Sequence, residues 1–223
     1  MALFFAYLVV VTLAHFFKAW VALRLGDSTP ADLGFLSWNP LDHADLIGVV
    51  CLFAVGLGWG RNVPINSLNI HGKYRTAKII FAHISDTLAY IGIGILSMLG
   101  LVFLFDRTMI ITSSRLVLNG ILNYHTIHTL YPLYSSVHIA MGFIAICAMY
   151  LSIMLGAIQL VINCFYLFMQ HYMARYTLNG TGEFIFLIMP LIAMFLLTGP
   201  LRLFIMYIIA FMSLCITQLI GLF

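Results

Sequence analysis

MALFFAYLVVVTLAHFFKAWVALRL, residues 1–25, is an apolar run interrupted only by His15 and Lys18. About 20 such residues suffice for a helix to cross a bilayer, so the spacing predicts a first span from Met1 to about Leu25. No basic stretch precedes it and no small-residue cleavage site follows, so it reads as a retained helix rather than a signal peptide. It stops at Gly26-Asp27-Ser28-Thr29-Pro30, a cluster of helix breakers.

Working outward, Ala31 to Asp45 is a polar, acidic connection. Leu46 to Gly60 is a Gly-rich apolar piece too short for an ordinary crossing, suited to a tilted or re-entrant segment. A basic connection, Arg61 to Lys78, leads into a second long span, Ala77 to Phe105. Asp106 to Tyr134 mixes polar and apolar residues, with Tyr124, Tyr131 and Tyr134 suited to headgroup depth. Val137 to Met169 is a third long span. After a polar stretch with a turn at Asn179-Gly180, Phe184 to Leu197 and Leu201 to Phe223 read as a hairpin broken at Gly199-Pro200.

Composition says the same. Of 223 residues, 63% are hydrophobic and 8% charged, with a mean hydropathy of +1.08. A soluble domain carries roughly 25% charged residues, and none could hide this much apolar surface. The expectation is an all-α integral membrane protein, one domain over residues 1–223, with about five or six transmembrane or membrane-embedded helices. Within it, 1–105 forms the core region, 106–135 an interfacial segment and 136–223 the C-terminal helices. The basic cluster Arg61, Lys73, Arg75 and Lys78 should face the cytoplasm, and the acidic connection the opposite side if Leu46 to Gly60 crosses. Scattered Lys and Arg make no nucleic-acid surface. Cys51, Cys147, Cys164 and Cys215 stand singly in apolar runs, without disulfide or zinc-knuckle spacing.

Three stretches, in order, carry a resemblance. They are His15-Phe16-Phe17-Lys18-Ala19 with Arg24-Leu25-Gly26-Asp27, then Asn39-Pro40-Leu41-Asp42-His43-Ala44-Asp45-Leu46-Ile47-Gly48, then Gly58-Trp59-Gly60-Arg61-Asn62-Val63-Pro64-Ile65-Asn66. Through them the chain resembles the site-2 protease family of intramembrane zinc metalloproteases, in its compact bacterial form. Weaker similarity runs on to Leu88, and beyond that only the order of hydrophobic segments is similar. The resemblance implies a site-2-protease-like core and a bacterial inner membrane location.

The family's H-E-x-x-H puts two histidines on one helix face to share zinc, with the glutamate as base toward the metal-bound water. Here only His15 remains. Phe16 stands at the base position and Ala19 at the second ligand position, and neither side chain offers a lone pair. His171 falls where the family's third ligand, an aspartate, would stand. The resemblance therefore implies a pseudoprotease without cofactor, a structural or regulatory subunit whose partners are lipid and other integral membrane proteins. Two alternatives stay open: an active zinc peptidase with a rearranged set such as His15, Asp45 and His171, and a small ion or proton pathway.

Plainer readings stand beside these. A histidine inside a span must be paired, so His15 can hydrogen-bond across a helix interface while Lys18 snorkels to the headgroups. His83 and Asp86, three apart, can pair on one helix face. His125, His128 and His138 fit a solvated surface, and Gly92, Gly94, Gly100, Gly142 and Gly156 suit close helix contact.

Overall fold

The computed structural model describes residues 2–56, 58–104, 129 and 135–173. They form six helices: α1 (Ala2–Arg24), α2 (Thr29–Asp32), α3 (Pro40–His43), α4 (Leu46–Val55), α5 (Arg75–Leu104) and α6 (Ser136–Met173). Among the described residues there is no strand beyond one isolated bridge, Ala44 to Gly60. Three helices are long and apolar enough to cross a membrane: α1, residues 75–101 of α5 and residues 137–168 of α6. These are the three long spans expected. Phe184 to Leu197, Leu201 to Phe223 and the tyrosine-rich segment, with Tyr124, Tyr131, Tyr134, His125 and His128, lie outside the described residues, as does Asn179-Gly180.

Local chemistry sets the boundaries. α1 has no interior Gly or Pro and ends on Arg24, whose charge suits a helix C-terminus, before Gly26 takes a left-handed φ of +105°. Asn39 caps α3 by accepting from the Leu41 amide, with Pro40 in its first turn. Asp45 caps α4 by accepting from Gly48 N at 2.8 Å, and Gly56, at φ +79°, closes it in the left-handed geometry common past helix ends.

The long helices form one core. Asp86 and Tyr90 of α5 face Asn163 and Gly156 of α6, while His15 and Lys18 of α1 face Tyr90 and Asp86. The pairing order makes α5 antiparallel to both neighbours. Tyr7, Val10 and Ala14 of α1, Met98 and Leu101 of α5, and Met149 and Met154 of α6 fill the space between. Phe5, Val9, Leu13, Trp20 and Leu23 form the exposed stripe of α1, which lipid would cover. Lipid tails are as apolar as these side chains, so tight packing and hydrogen bonds between helices carry the association. Gly156 serves it directly, since a Cβ there would sit 3.1 Å from the Tyr90 Cβ, and Gly94 lies against Ser152 and Ile153. Gly92 and Gly100 have no such neighbour.

The expected short segment does not cross. α4 has 10 residues, about 15 Å of helix, and the chain on either side of it returns to one place. Ala44 bridges Gly60, and the Arg61 amide donates to His43 O at 2.8 Å. Along the flank of α1 the descending chain meets His15 with His43 and reaches Phe4 with Phe53. It climbs back so that Tyr7 donates to Trp59 O. Gly48 and Gly58 permit this fold, because a Cβ on Gly48 would lie 2.0 Å from Trp59 O and one on Gly58 2.1 Å from Gly48 O. The acidic and basic connections therefore lie together, and the crossing by Leu46 to Gly60 on which their opposite placement was conditional is not made. The buried Asp27 carboxylate joins them, accepting from Thr29 Oγ1 at 2.6 Å, Asn66 N at 2.7 Å and Asn69 Nδ2 at 2.9 Å.

Candidate functional site

On α1, His15 and Ala19 lie one turn apart on one face, with Lys18 beside them, and all three are buried. His15 Nε2 lies 3.2 Å from the Tyr90 hydroxyl of α5, the hydrogen bond across a helix interface expected of it. Among the described residues its Nδ1 has no partner, and its ring centroid is 6.0 Å from that of His43. His43 is held by a 2.8 Å contact from Nε2 to Ser37 O, and its Nδ1 is also without a partner among the described residues.

The two positions that depart from H-E-x-x-H are closed by carbon. Phe16 stacks on Trp38, ring centroids 4.3 Å apart and planes at 25°. Ala19 packs with Phe35 and Val63 in a small apolar cluster. Neither Phe16 nor Ala19 itself offers a lone pair to a metal or a base to its water. Among the described residues, no three His, Cys, Asp or Glu side chains converge as a metal group. Of the candidate set, His15 and Asp45 line one cavity, with Asp45 also capping α4. His171 is on the last turn of α6 and its side chain lies outside the described residues.

Lys18 does not snorkel. Its side chain turns inward, 1% exposed, and Nζ donates to Asp86 Oδ2 at 2.7 Å and to Asn163 Oδ1 at 3.3 Å. Snorkelling loses because a buried carboxylate of opposite sign stands within reach on α5, and a desolvated ion pair with further hydrogen bonds outweighs a lone charge drawn to the headgroups. The rest of the network is closed. Asp86 Oδ1 accepts from Asn163 Nδ2 at 2.8 Å and from the Thr87 amide at 2.7 Å, and Asn163 Nδ2 also donates to Thr87 Oγ1 at 3.3 Å. All three long helices thus contribute to a single polar knot. The expected His83–Asp86 pair does not form, because Lys18 and Asn163 occupy the carboxylate. His83 instead sets its ring 4.9 Å from that of Tyr166, and its Nε2 is buried without a partner among the described residues.

Asn163 was not among the expected site residues, although the signal for the knot was present. Lys18 and Asp86 are opposite charges well inside two spans, which is where a mutual partner is the default. Beside the knot lies a cavity of about 200 Å³, walled by α1, α5, α6 and the returning chain at Trp59 to Ile65.

Among curated proteins, the chain is 41% identical over 54 residues to one from Bacillus subtilis (strain 168) named "Putative zinc metalloprotease YwhC". The match covers 24% of this chain and 23% of that protein. It makes a relationship to a metalloprotease-like sequence over that stretch. No protein-family model matches the chain, and no solved structure does.

Proposed function

We propose that this chain is a catalytically inactive protein of the site-2-protease type, acting as a structural or regulatory subunit in a membrane assembly. The observation that carries the reading is the Phe16–Trp38 stack. Metal-dependent peptide hydrolysis needs a group that takes a proton from the bound water; a phenyl ring packed on an indole cannot. Ala19 in its apolar cluster removes the second ligand. The short relationship to a metalloprotease-named sequence supports the ancestry, and the compact, metal-independent tie through Lys18, Asp86 and Asn163 supports a retained scaffold.

The test combines two measurements on protein purified in mild detergent. Elemental analysis is expected to find no stoichiometric zinc, and incubation with a helical membrane peptide no cleavage that a chelator abolishes. About one zinc per chain together with chelator-sensitive cleavage would overturn the proposal. Co-purification of a constant set of membrane proteins, lost in a Trp38→Ala or Leu41→Ala variant at an exposed apolar site, would identify the assembly; recovery of the chain alone from native membranes would count against a subunit role.

A further inference from the structure

Arg61 is exposed at a depth where a bilayer offers hydrocarbon. On α1, Arg24 ends the helix with its Cζ 5.3 Å over the exposed Trp20 ring, an arrangement suited to the headgroup level. His15 lies about 13 Å of helix farther in. Gly60 packs against it, since a Cβ there would be 2.4 Å from His15 Cε1, and Arg61 is the next residue. The Arg61 guanidinium rests 5.5 Å from the ring centroid of buried Phe35, which packs with Ala19 and Val63. Ala19 places the charge about 7 Å of helix inward of Arg24.

On the other long helices the surface at this height and above is apolar. The Lys18–Asp86 contact sets α5 against α1, so that Leu88 stands near the height of Phe16, and Ile80 and Phe81 near that of Arg24. All three are exposed, as is Val161 of α6, two residues from Asn163. Hydrocarbon therefore reaches past Arg61. Among the described residues the one ion pair is Lys18–Asp86, so no carboxylate answers the guanidinium. A charge at that depth calls for a partner. The backbone between α2 and α3, from Leu33 to Asn39, is not helical. Irregular backbone inside a bilayer is tolerated only against protein or in a water-filled cavity.

The flank that continues from it is long and apolar. Trp38 and Leu41 are exposed, and α4 presents Leu46, Val50 and Phe53, all exposed, at spacings of four and three. From Phe16, under Trp38, to Phe4, beside Phe53, is about 18 Å of α1, a distance over which a second helix can lie. We infer that this flank docks a transmembrane helix of another protein, carrying an aspartate or glutamate that faces Arg61. Apolar residues deeper in the same helix would cover Leu46, Val50 and Phe53. The inference supplies the chemistry of the partner in the subunit role proposed above and rests on that reading.

The probe is a synthetic polyleucine helix of about 20 residues with lysine ends, bearing a dansyl group and Glu, Gln, Lys or Leu at one position roughly two turns from an end. It is titrated into bilayers of phosphatidylcholine holding the full chain, and energy transfer from the chain's tryptophans is followed. The Glu peptide is expected to give saturable transfer about tenfold tighter than the Gln and Leu peptides, the size of a favourable polar contact between helices. Arg61→Leu should erase that preference, and Arg61→Glu should pass it to the Lys peptide. Should Arg61→Glu not fold, Arg61→Gln removes the charge with a smaller change and should level the Glu and Gln peptides. Equal transfer from the Glu, Gln and Leu peptides would mean that lipid phosphate or water suffices for Arg61 and would overturn the inference. So would a Glu preference that survives Arg61→Leu. Zinc content and cleavage do not enter this readout, so its failure leaves the loss of catalysis in place.

Discussion

Removing Lys18 alone should damage the protein more than removing Lys18 and Asp86 together. In Lys18→Met the Asp86 carboxylate stays 1% exposed and keeps Asn163 Nδ2 and the Thr87 amide, but loses its counter-charge at 2.7 Å. Breaking a buried ion pair from one side costs about 3–5 kcal/mol, because the remaining charge is uncompensated. Asp86→Leu strands the ammonium in the same way, with only the Asn163 oxygen at 3.3 Å left to it. In the double variant Lys18→Met/Asp86→Leu no charge remains. What is lost is the hydrogen bonding of Asn163, which keeps Thr87 Oγ1 at 3.3 Å and leaves its oxygen bare. An orphaned buried polar group costs about 1–3 kcal/mol, so the double variant should be more stable than either single one. Adding Asn163→Leu should recover most of the remainder. The assay is reversible unfolding in mixed micelles of mild detergent and dodecyl sulfate, followed by tryptophan fluorescence. Single losses that sum in the double variant would refute the reasoning, since they would mean that the two side chains act independently and are not a pair.

Three further outcomes follow from the packing. Gly60→Ala puts a Cβ 2.4 Å from both His15 Cε1 and Val11 Cγ1, and overpacking of that kind should cost about 1–3 kcal/mol in the same unfolding assay. Gly48→Ala meets backbone rather than side chain, at 2.0 Å from Trp59 O, so it should open the Ala44–Gly60 closure and expose Cys51 to maleimide in intact membranes far faster than in the parent. Asp27→Ala removes the acceptor of Asn66 N and Asn69 Nδ2; limited proteolysis should then cut the connection before Arg75 several-fold faster, with the three long helices still protected.

Much of the architecture could be read from hydrophobic run length, because a span is a local property of about 20 residues. The starts of α1, α5 and α6 fell within about two residues of expectation for that reason, a precision usual at helix ends. The short piece at Leu46 to Gly60 was read from length too, as tilted or re-entrant. Its consequence for sidedness needed the Ala44–Gly60 closure, a contact between residues 16 apart in sequence. The site was legible in part. Phe16 and Ala19 marked the departure from H-E-x-x-H, and His15 was expected to find a partner across an interface. Lys18 was misread because snorkelling depends on what stands opposite, and its partners are 68 and 145 residues away in sequence. The helix face did hold a clue, since Val11, Ala14, His15, Lys18 and Ala22 recur at spacings of three and four and are all buried.

The descent of the chain along α1 also dictates a sequence of events in biogenesis. The stretches around Ala44 and from Gly58 to Asn66 carry peptide groups outside helices, and bare hydrocarbon would leave those groups unsolvated. α1, α5 and α6 can each leave a translocon for lipid singly, whereas this loop can settle only against neighbours already in position. The last part of the described chain to mature should therefore be one made early in synthesis.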